Sequence, residues 1–209
     1  MWVELPTNNM AAALANTTGS TGFDVTYTDD MVWHAGTQQV FFIGSDHGYL
    51  QHFTSYAATS NAWQRLPRGY WMPAPTDYNN GMGHGYDHSA IDQARGLYYF
   101  RPFNANDVYR YTIASQMWTQ LPQAPQGSNC CDALEVFPEL GGLVWVRGGG
   151  EVLLYRESTN TWTSLATGLA NGGTWTFAEY NPVHKVMVFG VAAAGTLYKL
   201  DSAGKVTRL

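Results

Sequence analysis

Basic charge is scarce in this chain. Lysine and arginine together number 11 in 209 residues, against 16 acidic residues, for a net charge of −5. All three lysines, Lys185, Lys199 and Lys205, fall in the last quarter. No basic stripe is available to neutralise a phosphate backbone, so nucleic acid is excluded as the natural partner. Charge of either sign is thin at 13%, which leaves little to steer an ionic ligand. No apolar run approaches the roughly 18 residues of a membrane-spanning helix. Met1 to Pro6 has neither the basic region nor the apolar stretch of a signal peptide. The expectation is a soluble protein without a visible export signal, its compartment unassigned.

Cysteine is nearly absent as well, and its two copies are neighbours, Cys130 and Cys131. Neighbouring Cα atoms lie about 3.8 Å apart across a trans peptide, closer than ordinary bridges require. A framework of structural disulfides is therefore not expected. The pair reads as two buried or half-buried thiols at the start of a strand. A vicinal redox pair or soft-metal site is the alternative, without a CxxC or Cys/His spacing behind it.

Aromatic residues and glycine are plentiful: 8 Trp, 13 Tyr, 9 Phe and 22 Gly. That balance suits short strands joined by turns better than solvated helices. One heptapeptide, Asn61 to Pro67, recurs down the chain. Gln116 to Pro122 repeats it, Asn160 to Leu165 repeats it without the proline, and Met1 to Pro6 is an early copy. Lys205 to Leu209 is a worn copy with Val206 in place of Trp. Trp2, Trp63, Trp118 and Trp162 are spaced by 61, 55 and 44 residues, the range of a repeat architecture.

Tyrosine precedes three of these tryptophans at a constant offset: Tyr56 before Trp63, Tyr111 before Trp118, Tyr155 before Trp162. A polar Ser/Thr/Asn turn lies between, which predicts a hairpin joining third strand to fourth. Upstream stand four short apolar runs, 40–43, 97–100, 143–146 and 186–189, each too short for a helix and rich in aromatic or β-branched residues. These read as buried second strands, each preceded by a turn and a first strand. The fold class expected is all-β, a propeller of about four four-stranded antiparallel blades at 23–67, 68–122, 123–166 and 167–209 in one domain. An N-terminal strand at 2–5 is expected in addition. That strand leaves the count with one strand too many for simple closure. Either the ring is incomplete and closed by further blades or a partner chain, which is the favoured expectation, or residues 2–5 are no blade strand and four blades close alone.

The Tyr-x6-Trp pairs, the Trp-x-x-Leu-Pro endings and His88-Ser89-Ala90 opening the second blade make the chain resemble kelch-repeat propellers and the central propeller of galactose-oxidase-like proteins. The glycine doublet usual after the second kelch strand survives only at Gly148-Gly149-Gly150. The resemblance implies a propeller; its copper-radical chemistry transfers to no residue here. No nucleophile elbow, phosphate loop or HExxH motif is present.

The richest interblade stretch, residues 68–88, carries Tyr, Trp, Asn and Gly, the composition of a binding surface. The candidate ligand-binding residues are Tyr70, Trp71, Tyr78, His84, Tyr86, Asp87 and His88, with His47 from the loop after the second strand of the first blade. The histidines share no helical face, so they read as loop-anchoring groups, and neither a metal nor a cofactor is assigned. The expected function is a non-enzymatic module that binds a protein or a neutral glycan through interblade loops. A galactose-oxidase-like or glycan-acting enzyme whose site is completed outside this chain is the first alternative. A structural module of a secreted or virion assembly is the second.

Overall fold

Three turns of the chain place a non-glycine residue in the left-handed region one position before an outermost strand, and those turns set the fold. Asn61, Gln116 and Asn160 have φ of 51°, 56° and 53°, each two residues ahead of a repeat tryptophan. Asn tolerates this conformation through local hydrogen bonding of its short polar side chain, and Asn61 and Asn160 each accept from the tyrosine five residues away. Each turn folds the third strand of a repeat onto the fourth. The computed structural model describes residues 6–14, 30–44, 52–72, 84–125, 127, 130–170, 175–191 and 195–209. The expected N-terminal strand at 2–5 lies outside the described residues.

Among the described residues, sixteen strands form four four-stranded antiparallel sheets, each in simple up-and-down order. The first blade comprises β1 (Val32–His34), β2 (Gln39–Gly44), β3 (His52–Ala57) and β4 (Ala62–Arg65). The second comprises β5 (Ser89–Asp92), β6 (Leu97–Phe100), β7 (Tyr109–Thr112) and β8 (Met117–Gln120). The third has β9 (Ala133–Phe137), β10 (Gly142–Val146), β11 (Val152–Arg156) and β12 (Thr161–Ala166). The fourth has β13 (Thr176–Asn181), β14 (Val186–Val191), β15 (Thr196–Asp201) and β16 (Val206–Arg208). The chain is thus all-β, with four blades of a β-propeller fold, and its one α-helix among the described residues is α1 (Met10–Leu14). No helix among them is long and apolar enough to cross a membrane.

By contacts the chain falls into two units, Met1–Gly85 and Tyr86–Leu209. In the first, the segment after Pro6 pads the outer strand of its blade. The Trp63 indole donates to Thr7 Oγ1 (3.1 Å), the Asn61 amide to the Pro6 carbonyl (2.8 Å), and Arg65 Nε to the Ala13 carbonyl (3.0 Å).

The second unit holds three consecutive blades whose first strands are neighbours, β5 beside β9 and β9 beside β13. One apolar layer, including Ala90, Tyr99, Leu134, Val136, Leu143, Trp145 and Tyr155, packs the second blade on the third. A second layer, including Phe137, Val144, Leu154, Met187, Phe189 and Leu200, packs the third on the fourth. Polar ties reinforce both layers. Tyr99 and Arg110 of the second blade bind Glu157, which closes the third blade's last hairpin. Tyr180 of the fourth donates to Glu139.

The spaced Tyr and Trp are direct cross-strand partners: Tyr56 opposite Trp63, Tyr111 opposite Trp118, Tyr155 opposite Trp162. Their ring centroids are 5.1, 5.2 and 5.4 Å apart with interplanar angles of 46°, 49° and 47°. In the fourth blade Leu200 faces Val206 at the same register. Trp162 does not wedge toward the following blade, as a simple stacking picture expects. Its indole donates to the Pro122 carbonyl (2.8 Å), on the segment leaving the second blade, and packs on the layer shared with that blade.

Candidate functional site

In the second unit, the segments entering the first strands and the loops leaving the second strands lie together. Tyr86, Asp87 and His88 lead into β5. Arg101 follows β6, Cys130 to Asp132 lead into β9, Arg147 follows β10, and Trp175 leads into β13. This is the face on which β-propeller fold proteins gather their irregular segments.

Asp87 organises it. Its carbonyl accepts the Leu134 amide of β9 (2.8 Å), and its Oδ2 accepts the Ala178 amide of β13 (2.9 Å). One residue before the second blade therefore holds the first strands of the third and fourth. Close by on β9 is Glu135, whose Oε1 accepts the amide of its own neighbour Val136 (2.9 Å). Burial first, and then the charges of Asp87 and Glu179, push the Glu135 carboxyl up to about 8. The hydrogen bond from the Val136 amide opposes this push.

His88 is fully buried, and its Nε2 accepts from the Arg101 guanidinium. A guanidinium has no lone pair to give, so the His88 ring carries its proton on Nδ1. Arg101, also fully buried, donates further to the carbonyls of Pro102 (3.3 Å) and Cys130 (3.1 Å). Burial draws its pKa down to about 10, with Asp132 opposing the shift and Arg147 adding to it. Both guanidinium carbons lie over the Trp145 ring, Arg101 at 5.4 Å and Arg147 at 4.2 Å from the centroid, a cation–π arrangement strengthened by loss of water. The Trp145 indole donates to Asp132 Oδ2 (3.1 Å), whose Oδ1 takes the Gly148 amide (2.9 Å). Arg147 reaches Glu151 and the Pro125 carbonyl. No local motif marks this layer, because Arg101, Asp132 and Arg147 lie in three separate loops.

Two aromatic residues cap the layer. Trp175 is 51% exposed and meets Tyr86 edge to face at 5.0 Å; Tyr86 also meets His88 edge to face at 5.9 Å. Both residues sit at positive φ, 74° for Trp175 and 23° for Tyr86. Bulky side chains rarely adopt that region, and such strain persists only where the surroundings enforce it, commonly at binding sites.

Cys130 and Cys131 are joined to each other by a disulfide across the trans peptide between them. This corrects the expectation of two thiols. Ordinary bridges join cysteines at larger Cα separations, whereas two neighbours close a small ring through their own peptide. The carbonyls of both cysteines are engaged, that of Cys130 inside the ring by Arg101 and that of Cys131 just outside it by the amide (3.0 Å) and hydroxyl (2.7 Å) of Thr176.

Of the candidate residues, Tyr86, Asp87 and His88 come together here. Tyr70, 69% exposed, Trp71 and the buried His84 belong to the first unit. Tyr78 and His47 lie outside the described residues. No group of three His, Cys, Asp or Glu able to hold a metal ion occurs among the described residues. Trp175 carries the most exposed aromatic surface of the face, yet it stands in a stretch whose sequence reads as an ordinary first strand.

No protein-family model matches the chain, and no curated protein matches its sequence. Solved structures do. A streptogramin B lyase superposes with a TM-score of 0.61 at 9% identity, over 86% of this chain and 53% of the lyase. A nidogen/laminin complex gives 0.59 at 11% identity, over 86% and 63%. TolB from Acinetobacter baumannii gives 0.56 at 9% identity, over 86% and 42%. The chain spans about half the length of these proteins. At such identities the likeness is one of fold, and the fold it gives this chain is the β-propeller.

Proposed function

We propose that the chain is a non-enzymatic binding module whose ligand docks on the loop face of the second unit, with Trp175 as its anchor. The observation that carries this reading is an exposed indole held on strained backbone against Tyr86. A rigid aromatic surface offers large contact area at small entropic cost. Asp87, the residue after Tyr86, adds a carboxylate that accepts from hydroxyl groups and discourages anions. A neutral glycan, its apolar sugar face stacked on the indole, suits this combination best.

A protein partner is the second reading, favoured by the nidogen/laminin complex among the structural neighbours. The buried His88–Arg101–Trp145 layer underneath is a support that keeps the face rigid. Kelch-like identity belongs to this proposal too, supported by the three Tyr–Trp cross-strand pairs. A glycan array probed in parallel with proximity cross-linking at the face tests the two readings. Glycan binding lost in Trp175→Ala supports the first. Cross-links to a protein with a blank array replace it with the second. Ligand capture that survives Trp175→Ala unchanged overturns both.

A further inference from the structure

The geometry points to the Cys130–Cys131 disulfide as a redox-responsive latch that fixes Trp175 in its presenting conformation. Its effect on ligand capture rests on the binding reading above. Three observations converge on it. The bridge closes a ring through a single peptide, and the carbonyl of that peptide (Cys130) and the one that follows it (Cys131) both hold something outside the third blade. Cys130 O receives Arg101, at the end of the second blade's β6. Cys131 O receives both the amide and the hydroxyl of Thr176, the first residue of β13 in the fourth. Thr176 directly follows Trp175, whose left-handed backbone needs an enforcing neighbour. The bridge is thus tied to the residue beside the exposed anchor, at the place where three blades meet.

Access is graded along the bridge. Cys131 is 4% exposed, while Cys130 is half-buried, so the attack is assigned to Cys130, the more exposed residue of the two. A dithiol reductant, small or borne on a thiol oxidoreductase, supplies the chemistry. One of its thiolates attacks Cys130 Sγ, the Sγ–Sγ bond breaks, and a mixed disulfide forms as Cys131 leaves as thiolate. The second thiol of the reductant then displaces Cys130. Two electrons pass to the protein, which ends with two thiols, and the reductant ends as a disulfide that has given up two protons. Once opened, the 130–131 peptide is no longer held in a ring. The two carbonyl contacts loosen, releasing Arg101 on one side and Thr176 with Trp175 on the other.

The test uses the whole chain under native conditions. Dithiothreitol treatment followed by iodoacetamide is read by intact mass, and exchange of the Thr176 amide is followed by NMR before and after reduction. The expected result is alkylation at both cysteines only after reduction, with Thr176 exchanging at least tenfold faster in the reduced protein. The Cys130→Ser, Cys131→Ser double variant shows the fast exchange with or without reductant. Alkylation that appears only in denaturant overturns the proposal, as does a Thr176 amide indifferent to reduction. Reduction of the wild-type chain is decisive even where the double variant does not fold. Neither readout involves a ligand. Blank glycan and protein screens therefore sink the binding reading alone, and an unmoved Thr176 amide sinks the latch alone.

Discussion

The carboxylate of Asp87 accepts the backbone amide of Ala178, 2.9 Å away and 91 residues later in the chain. Among the described residues it is the most distant side-chain tie in the second unit, and it closes where the first strands of three blades converge. Asp87→Ala leaves that amide without its acceptor. The expected cost is about 1–3 kcal/mol, read as a shift in the urea midpoint. Asp87→Asn retains an acceptor oxygen and recovers most of the loss.

Trp118 is 8% exposed, opposite Tyr111 and edge to face with Tyr98 at 6.0 Å. Trp118→Ala is expected to cost about 3–5 kcal/mol, as for other large-to-small changes in a packed interior. Ligand capture by the fraction that remains folded stays unchanged, because Trp118 lies on an outer strand. Equilibrium unfolding and a binding assay at a temperature well below the transition check the two halves.

Glu135 gives stability a pH dependence of defined sign. Its carboxyl is pushed from the ordinary 4.5 up to about 8 by burial and by Asp87 and Glu179. A raised folded-state value means that the folded protein holds a proton the unfolded chain has released. The contribution is fully present below about pH 4.5, declines as pH rises, and is gone above about pH 8. Glu135→Gln mimics the protonated form, so its stability is expected to fall less between about pH 5 and pH 9 than that of the wild type. Urea titrations at several pH values decide this, and equal slopes for the two proteins would falsify the assignment.

Trp175→Gly separates strain from function. Glycine adopts a φ of 74° at no steric cost, which offsets loss of the contact with Tyr86, so stability stays within about 0.5 kcal/mol of wild type. Ligand affinity falls by roughly 30-fold or more, as expected when an anchor residue is removed. Thermal melting paired with a titration of whichever partner the screens return checks both.

What could be foreseen depended on how locally each feature is encoded. Tyr56 and Trp63 are seven residues apart and directly paired, so a hairpin of fixed length writes the contact into the spacing. The same holds for the other two pairs, and with them three of the four blades. Asp87 and Ala178 carry no such signature, because neither residue type nor interval marks a bond between separate blades. The buried arginines were invisible for a related reason: Arg101 and Arg147 look like ordinary loop charges until both are seen over Trp145. Of the two loop histidines, His84 falls in the first unit and His88 in the second. At Cys130–Cys131, the short Cα separation spoke against a bridge that the intervening peptide itself makes accessible.

The fourth blade differs from the others in one respect with a mechanical consequence. Three blades rivet the outermost strand to its neighbour with a Tyr–Trp pair; the fourth has Leu200 facing Val206, and β16 is three residues long. Under a pulling force, a strand held by so few ladder pairs and no aromatic rivet peels first. Among the described outermost strands β16 is thus the weakest seam, and those carrying Trp118 and Trp162 yield later.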